Sequence, residues 1–366
     1  MSAPITSTTA PGAARARRSG LLMVSPAMLL MALFLILPFL LAFAMSFTNQ
    51  RLVSPNPTQY VGLDNYRQIL GLGVLTLQPE KDAQGQVAHE ADGSVQYPSL
   101  RTYTRDNPDY PHLNRMREWF HVGWTGDSRV YVLASDVIFM KALVNTVQFV
   151  VVVAPVQAFF ALLLALLINQ PLRGINIYRT IFFMPVVISM VVVAFLWRFI
   201  YAGDTGLLNS LLGHLTFGAF KPVDWLGQPG TALWAIMAMS VWQGVGFHMI
   251  VWLSGLQTIS ASLYEAAALE GASRWQVFRY VTWPGLRNTA ILVMVVITMQ
   301  AFTLYPQIDV MTRGGPLDST QSLVFQAVQR GYGKQDIAGG SAISVFLFLF
   351  VLAISLGQRY LTREKK

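Results

Sequence analysis

The sequence contains no cysteine, which excludes disulfide bonds and thiolate metal sites. Charge is scarce as well: Asp, Glu, Lys and Arg make up 12% of the 366 residues, against about 25% in an average soluble domain. Hydrophobic residues reach 54%, and the mean hydropathy is +0.46. A single aqueous core cannot hide this much apolar surface, so the composition indicates that lipid is part of the solvent around this chain.

Motifs for nucleotide and metal chemistry are missing too. A phosphate-binding loop needs G-x-x-x-x-G-K-[ST], but the most similar segment, 331–335, lacks the first glycine at the right distance and the final hydroxyl residue. The five histidines show no H-E-x-x-H spacing, so a membrane metalloprotease of that type has no ligands here. We therefore expect no catalytic residues, metal or cofactor in this chain, and an energy source in another chain.

Six apolar stretches are long enough to span a bilayer, which needs about 20 residues per helix. They cover roughly 21–47, 142–168, 178–201, 231–256, 284–306 and 340–360. None shows the alternation of a half-buried strand. Pro38, Pro155 and Pro185 lie inside these stretches and predict kinks, because neighbouring helices can bond the freed backbone groups. The predicted fold class is an all-α polytopic membrane protein with six transmembrane helices.

The first stretch follows Arg15, Arg17 and Arg18 and contains Ala42-Phe43-Ala44, which is similar to a signal-peptide cleavage site. A cleaved signal peptide is therefore one interpretation. The apolar core is about twice the 7–15 residues of a signal peptide, however, which favours an uncleaved first transmembrane helix at 21–47.

Basic residues favour an orientation with both termini in the cytoplasm. In that orientation the cytoplasmic segments hold twelve Lys and Arg residues and the two short external loops hold five. The twelve are Arg15, Arg17, Arg18, Arg173, Arg179, Arg274, Arg279, Arg287, Arg359, Arg363, Lys365 and Lys366. The net charge of +8 is therefore a topology signal that needs no nucleic-acid partner. It predicts cytoplasmic tails at 1–20 and 361–366 of a multi-pass protein.

The first external loop, 48–141, is long. Its Gly-, Asp- and Gln-rich part, 80–93, predicts a turn or hairpin, with Asp92-Gly93 as the turn pair. The part that follows is rich in aromatic residues, namely Tyr97, Tyr103, Tyr110, Trp119, Phe120 and Trp124. Because long loops without structure are uncommon, we expect an ordered extracytoplasmic subdomain in preference to a floppy insertion.

The central parts of the apolar stretches contain no Asp, Glu, Lys or Arg. His248 is the one titratable group well inside, and a neutral histidine bonded within the helix bundle is favoured over a proton relay. A self-contained proton- or sodium-coupled carrier is therefore poorly supported, since buried carboxylates or histidines usually mark such pathways.

The segment between the fourth and fifth apolar stretches carries the most informative motif. Glu265, Ala266 and Ala267 are followed by Gly271 and then by Val281-Thr282-Trp283-Pro284. Small residues and one carboxylate on a short helix predict a smooth knob that docks in a groove of another protein. An ordinary amphipathic loop helix is the plainer interpretation, because alanine is a good helix former.

This pattern resembles the coupling motif of ABC-importer permeases: E-A-A, three residues, G, nine residues, then an aliphatic residue one position before Leu-Pro. Val281 and Trp283 occupy the positions of the usual Ile and Leu, so this chain differs from the motif at two of its less strict positions. Further segments match familiar positions of that family, namely 61–66, 142–146, 179–180 with Pro185, 255–257, 312–316 and 340–342. The resemblance covers nearly everything except 72–135. The Gly-Gly-Pro turn at 314–316 is typical of the branch that imports sugars, oligosaccharides and glycerol-3-phosphate, in which the chain resembles the larger, MalF/UgpA-like subunit.

The resemblance implies a type I importer with a MetI-like core: five helices at 142–360, a cytoplasmic coupling helix at 260–275 and an extracytoplasmic insertion after the first helix. The expected partners are a second permease in a heterodimer, two ATPase subunits that bind ATP and Mg²⁺, an extracytoplasmic solute-binding protein and the lipid of the cytoplasmic (inner) membrane. The expected ATPase-coupling residues are Glu265, Ala266, Ala267, Gly271 and Arg274. A membrane receptor or scaffold that tethers a cytoplasmic partner is the alternative, and an ion-coupled carrier ranks third.

A path for a polyhydroxylated solute should combine aromatic faces with uncharged hydrogen-bonding groups. Trp242, Gln243 and Phe247 in the fourth stretch, and Gln300 and Thr303 in the fifth, provide both. Gln243 and Phe247 are four residues apart and share a helix face. In the alternative interpretation, Gln300 ties helices together and the tryptophans belong to interfacial belts.

Overall fold

A computed structural model describes residues 11–82, 85–90, 93–124, 127–170 and 173–362, and side chains are described from residue 20 to residue 360 within these ranges. The predicted turn residue Asp92 lies outside the described residues. The same holds for the side chains of the predicted cytoplasmic tails, namely those of Arg15, Arg17, Arg18, Arg363, Lys365 and Lys366.

The chain is mainly helical. In chain order the α-helices are α1 (Pro11–Met31), α2 (Leu37–Met45), α3 (Asp64–Leu70), α4 (Leu100–Thr104), α5 (Val137–Ile168), α6 (Ile175–Val187), α7 (Met190–Ile200), α8 (Leu207–Leu215), α9 (Ala232–Gln257), α10 (Ala261–Leu269), α11 (Arg274–Val277), α12 (Trp283–Gly285), α13 (Arg287–Phe302), α14 (Pro306–Met311), α15 (Leu323–Val328) and α16 (Ile337–Thr362). Short π-helical turns occupy Ala32–Ile36, Phe278–Thr282 and Gln329–Gly333, and a 3₁₀ turn occupies Pro111–Leu113.

Four helical stretches of the described chain are long and apolar enough to cross a membrane. They are Gly20–Met45, which runs through α1, a π-helical turn and α2, and the helices α5, α9 and α16. Two bent helix pairs raise the number to six if each pair counts as one span. The structure therefore agrees with a polytopic helical protein of four to six spans.

The third predicted span, 178–201, is not one helix. α6 and α7 meet at an angle of 97°. Ile188 and Ser189 at the break have ψ angles of 135° and 136°, so two extended residues separate the helices. Pro185 causes no break, because α6 continues past it to Val187. The predicted continuous span was wrong at this point.

The fifth predicted span, 284–306, is also divided. The apolar helix α13 has 16 residues and ends at Phe302. Its axis is bent by 66° from the preceding helical segment, Arg274–Gly285. Pro306 starts α14, and the residue before a proline is disfavoured in the α conformation, so Tyr305 leaves the helical region with φ −135° and ψ −61°.

The second span begins five residues earlier than the predicted 142, because Asp136 caps α5. Its carboxylate accepts a hydrogen bond of 3.0 Å from the backbone N–H of Phe139. Residues 137–141 therefore belong to α5. α5 then packs along α9 and α13, and the indole N–H of Trp252 donates to the carbonyl of Ala158 at 3.1 Å.

The segment between α2 and α5 contains a β-sheet, so the all-α prediction was wrong there. β1 (Leu72–Leu77), β2 (Arg117–Gly123) and β3 (Arg129–Ala134) form an antiparallel sheet in the order β1-β3-β2. Side chains of β1 alternate between exposed and buried. The buried face forms a separate small core consisting of Leu75, Leu77, Leu113, Tyr131 and Leu133. This subdomain is ordered by its own apolar contacts.

A partly buried charge cluster joins the segments that flank this subdomain to the helical core. Arg330 donates to Asp336 at 2.7 Å, to Asp136 at 2.9 Å and to the amide oxygen of Gln68 at 3.0 Å. Asp136 caps α5, and Asp336 precedes α16 and accepts from the backbone N–H of Gly339. One guanidinium therefore ties α3 to the starts of two membrane helices.

Candidate functional site

A cavity of about 470 Å³ lies between α5, α9 and α13. Its lining residues are Phe149, Val153, Gln157, Val186, Met190, Ser240, Gln243, Gly244, Phe247, His248, Ile297, Gln300, Ala301, Thr303, Pro306 and Gln307. Among these described residues the polar groups are uncharged amides, hydroxyls and one imidazole, and no Asp, Glu, Lys or Arg is present. The cavity can therefore hold a small polar molecule between apolar and aromatic walls.

The cavity brings together four of the five residues predicted for a solute path. Gln243, Phe247, Gln300 and Thr303 all line it. Trp242 does not; its ring lies 5.4 Å from the ring of Trp197. One residue along a helix is a rotation of about 100°, which turns Trp242 away from the face that Gln243 and Phe247 share. A role of these residues in solute contact stays a prediction.

Gln300 differs from its expected setting. Its side chain is exposed at the cavity near the end of α13 and is not buried deep in the bundle. Within the described residues neither its amide nor that of Gln243 makes a side-chain hydrogen bond. The hydroxyl of Thr303 donates to the backbone carbonyl of Gln300 at 2.7 Å. The side-chain amides of Gln243 and Gln300 therefore line the cavity without a side-chain hydrogen bond among the described residues.

Sequence reasoning missed Gln157, Ser240 and Gln307, which line the same cavity. Each is a polar residue inside or beside an apolar stretch, and that isolation is the signal that could have identified it. His248 was considered and interpreted as a histidine bonded within the bundle. It is bonded through one ring nitrogen only.

His248 is 1% exposed, and Gln157 supports it from the neighbouring helix. The amide nitrogen of Gln157 lies 2.8 Å from Nδ1 of His248, and the carbonyl oxygen of Gly244 lies 2.9 Å from the same nitrogen. A side chain at position 244 would collide with the Gln157 amide, so the glycine makes room for this contact. The arrangement joins α5 to α9 at the cavity wall.

The predicted coupling residues lie on a second feature, an exposed helical knob formed by α10 and the turn after it. The predicted single helix at 260–275 was wrong, since α10 ends at Leu269 and α11 begins at Arg274. The turn is a Schellman motif: the N–H of Gly271 donates to Ala268 at 3.1 Å and the N–H of Ala272 donates to Ala267 at 2.9 Å. Gly271 has φ +69°, which a residue with a side chain adopts only at a cost.

The start of α11 is fixed by a capping box. Ser273 accepts from the backbone N–H of Gln276, whose side chain accepts from the N–H of Ser273 at 2.7 Å. This capping box fixes where the chain turns back into helix. Arg274, the first residue of α11, is exposed.

The surface of the knob is apolar and open. Glu265, Ala266 and Gly271 are exposed, and Ala267 is half-buried. Leu269 is 90% exposed. Tyr264 on the opposite side joins the knob to the core, because its hydroxyl lies 3.2 Å from the hydroxyl of buried Thr282. A docking role of this exposed surface stays a prediction.

Apolar helices around a solute-sized cavity fit a helical membrane permease, a transport component. A family profile described as "binding-protein-dependent transport system inner membrane component" matches residues 137–366. The chain belongs to this family, which confirms the resemblance drawn from the motifs.

Relatives with similar sequences are also named as transport permeases. The chain is 35% identical to the probable ABC transporter permease YurN of Bacillus subtilis, over 62% of this chain and 78% of the relative. It is 34% identical to the trehalose/maltose transport system permease MalF of Thermococcus litoralis, over 58% and 70%. It is 31% identical to the lactose transport system permease LacF of Rhizobium radiobacter, over 66% and 82%.

The fold also matches a solved structure. A chain in the crystal structure of a bacterial ABC transporter that imports the acidic polysaccharide alginate superposes with a TM-score of 0.66 at 19% identity. The match covers 95% of this chain and 96% of that chain, and it shows a similar fold.

Proposed function

We propose that this chain is a permease subunit of an ATP-driven importer and that it carries a sugar, an oligosaccharide or a glycerol-3-phosphate-like solute across the membrane. The observation that carries the proposal is the pairing of an exposed docking knob with a cavity of uncharged polar groups in one chain. The relatives named for trehalose, maltose and lactose transport support a sugar as the solute.

The knob links a partner's movement to the cavity. We place α10 in a groove of an ATPase subunit, with Glu265 paired to a basic or hydrogen-bonding group there. Closure of the ATPases on ATP then moves α10, and the Tyr264–Thr282 contact passes the movement to the segment that leads into α13. Because Ile297, Gln300 and Ala301 of α13 line the cavity, this route reaches the solute path directly.

The assembly we propose has two unlike permeases, two ATPases that bind ATP and Mg²⁺, and an extracytoplasmic solute-binding protein. In the membrane each bent helix pair counts as one of six spans, the termini and the knob lie in the cytoplasm, and the β-sheet subdomain lies outside. The distribution of Lys and Arg supports this orientation.

The β-sheet subdomain is proposed to contact the binding protein or to cap the cavity. Deletion of 72–135 should weaken docking of the binding protein without preventing membrane insertion. Because Gln68 and Asp136 stay in the shortened chain, the contacts of Arg330 are preserved. Unchanged uptake after the deletion would remove this role.

The direct test of the proposed function is uptake measured together with ATP hydrolysis in the intact complex. Glu265→Ala should lower solute uptake per ATP hydrolysed while the protein still inserts and assembles. Glu270→Ala is the matched control, since Glu270 is an exposed carboxylate at the end of the same helix. Normal uptake per ATP in Glu265→Ala would contradict the role of the knob.

Two alternatives predict different outcomes. A receptor or scaffold would bind a cytoplasmic partner through α10 without solute-stimulated ATP hydrolysis. An ion-coupled carrier would transport as a single polypeptide in vesicles, driven by an ion gradient. Co-purification of an ATPase whose hydrolysis responds to a binding protein and solute separates the importer from both.

A further inference from the structure

The cavity wall contains polar atoms that the protein leaves unpaired. Within the described ranges, Nε2 of His248, Oγ of Ser240 and Oε1 of Gln307 are buried and have no hydrogen-bond partner. All three residues line the same cavity, and His248 and Ser240 are only 1% and 7% exposed. A buried polar group without a hydrogen-bond partner is unfavourable, so three at one cavity indicate that a ligand supplies the missing partners.

The chemistry of the wall restricts that ligand. No charged side chain is present among the described residues that line the cavity. A phosphate or carboxylate enclosed there would meet no counter-charge from this chain, and burial of an unpaired charge is strongly unfavourable. A second cavity of about 770 Å³ differs in this respect, since Arg198, Arg313 and Lys334 line it together with two carboxylates. The second cavity therefore has basic side chains in its wall, and the described lining of the first cavity has none.

We propose that the solute held in the first cavity is an uncharged polyhydroxylated molecule, a neutral sugar, and that His248 hydrogen-bonds one of its hydroxyl groups while Gln157 positions His248. This inference rests on the proposed import function and narrows it, because it excludes phosphorylated and acidic sugars. The three unpaired atoms are shielded from solvent in this conformation. They pair with the solute in the state of the transport cycle in which the wall opens to it.

Gln157 acts through the imidazole. Nδ1 is occupied on the protein side, because both the Gln157 amide and the Gly244 carbonyl lie within hydrogen-bond distance of it. The ring atom left for the cavity is Nε2, which donates or accepts according to the tautomer. A hydroxyl group both donates and accepts, which allows one sugar to pair with Nε2, the hydroxyl of Ser240 and the carbonyl oxygen of Gln307. Gly244 permits the contact, because a methyl group there would displace the amide.

The test measures solute binding to the complex that co-purifies with this chain, without the binding protein, whose own specificity would mask that of the permease. The probes are trehalose and lactose as neutral disaccharides and glycerol 3-phosphate as the anion, with dissociation constants measured by saturation-transfer NMR. We expect the neutral disaccharides to bind more tightly than glycerol 3-phosphate. His248→Leu and Gln157→Leu should each raise the neutral-sugar dissociation constant about three- to tenfold, as expected for one lost hydrogen bond.

Two further variants separate a direct role from a structural one. His248→Gln keeps a hydrogen-bonding group and should bind more tightly than His248→Leu. Ser254→Ala changes an exposed polar residue of α9 that does not line the cavity, and its dissociation constants should equal those of the wild type. A structural defect would weaken both disaccharides equally, whereas loss of one specific contact changes the ratio of the trehalose and lactose constants.

The inference is overturned if glycerol 3-phosphate binds as tightly as the disaccharides, if neither disaccharide binds, or if both leucine variants leave the constants unchanged. None of these results affects co-purification of an ATPase or ATP-driven uptake through Glu265. Absence of the ATPase and of uptake would instead contradict the proposed function, so the two failures are distinguishable.

Discussion

The hydroxyl groups of Tyr264 and Thr282 lie 3.2 Å apart and join the exposed knob to the segment that leads into α13. Tyr264 belongs to α10, and Thr282 is the last residue of the π-helical turn before α12 and α13. Thr282 is buried in the core, whereas Tyr264 belongs to the exposed knob. We expect a movement of the knob to reach α13 through this hydrogen bond.

Tyr264→Phe removes only the hydroxyl of this contact. The ring still packs, so the change should cost about 0.5–1.5 kcal/mol of stability and lower solute uptake per ATP hydrolysed. Tyr280→Phe is the matched control, because Tyr280 is an exposed tyrosine of the same π-helical turn. Equal uptake per ATP in the two variants and the wild type would show that the hydroxyl does not transmit movement.

Gly271 ends the knob with a positive φ angle, and a Cβ added there meets no atom within 4 Å. Substitution therefore costs backbone strain and no clash within this chain. Gly271→Val should lower the thermal unfolding midpoint and uncouple ATP hydrolysis from uptake, with a strain of about 1–2 kcal/mol. Gly271→Asn should be milder, since Asn tolerates this conformation. Equal behaviour of the two variants would rule out backbone strain as the cause.

Arg330 is 11% exposed and bonds to Asp136 and Asp336, which leaves two carboxylates uncompensated if the guanidinium is removed. Arg330→Leu should destabilise the protein by roughly 2–4 kcal/mol, as for a broken buried ion pair that keeps some access to water. Arg67→Leu, which breaks an exposed pair with Asp64, should cost less than about 1 kcal/mol. Thermal unfolding of the purified complexes would reveal the difference, and similar midpoints would contradict the role of the cluster.

Leu133 is fully buried in the small core of the β-sheet subdomain, and Leu72 of the same sheet is 54% exposed. Leu133→Ala should cost about 2–5 kcal/mol, the usual range for a buried leucine. Limited proteolysis should then cleave within 72–135 faster than in the wild type, with the membrane helices intact. Leu72→Ala should be cleaved at the wild-type rate, and a similar increase in both variants would argue against an independent core.

The membrane helices could be located from the sequence because each is a continuous apolar run, a purely local signal. The break between α6 and α7 could not, since Ile188 and Ser189 carry no glycine or proline that marks it. Pro185 suggested a kink three residues too early. α6 packs against α9 and α7 packs against α14, contacts that the local sequence of the segment does not encode.

The β-sheet was missed for a related reason. β1 alternates exposed and buried residues over only six positions, and its partner strand is distant: Leu72 pairs with Ala134. At the cavity, helical spacing placed Gln243 and Phe247 on one face correctly. The contact between Gln157 and His248 joins residues 91 positions apart, and no spacing within either helix predicts it.

The most direct test of the coupling role is a crosslink from the knob. The chain has no cysteine, so Leu269→Cys gives a single thiol at a position of α10 whose side chain is 90% exposed. We predict that it crosslinks to an ATPase subunit, with a yield that changes when ATP binds, and that a membrane-impermeant reagent added outside does not label it. Phe217→Cys, fully exposed after α8, should be labelled from outside. Labelling of Cys at 269 from outside, with no crosslink to an ATPase, would contradict the account.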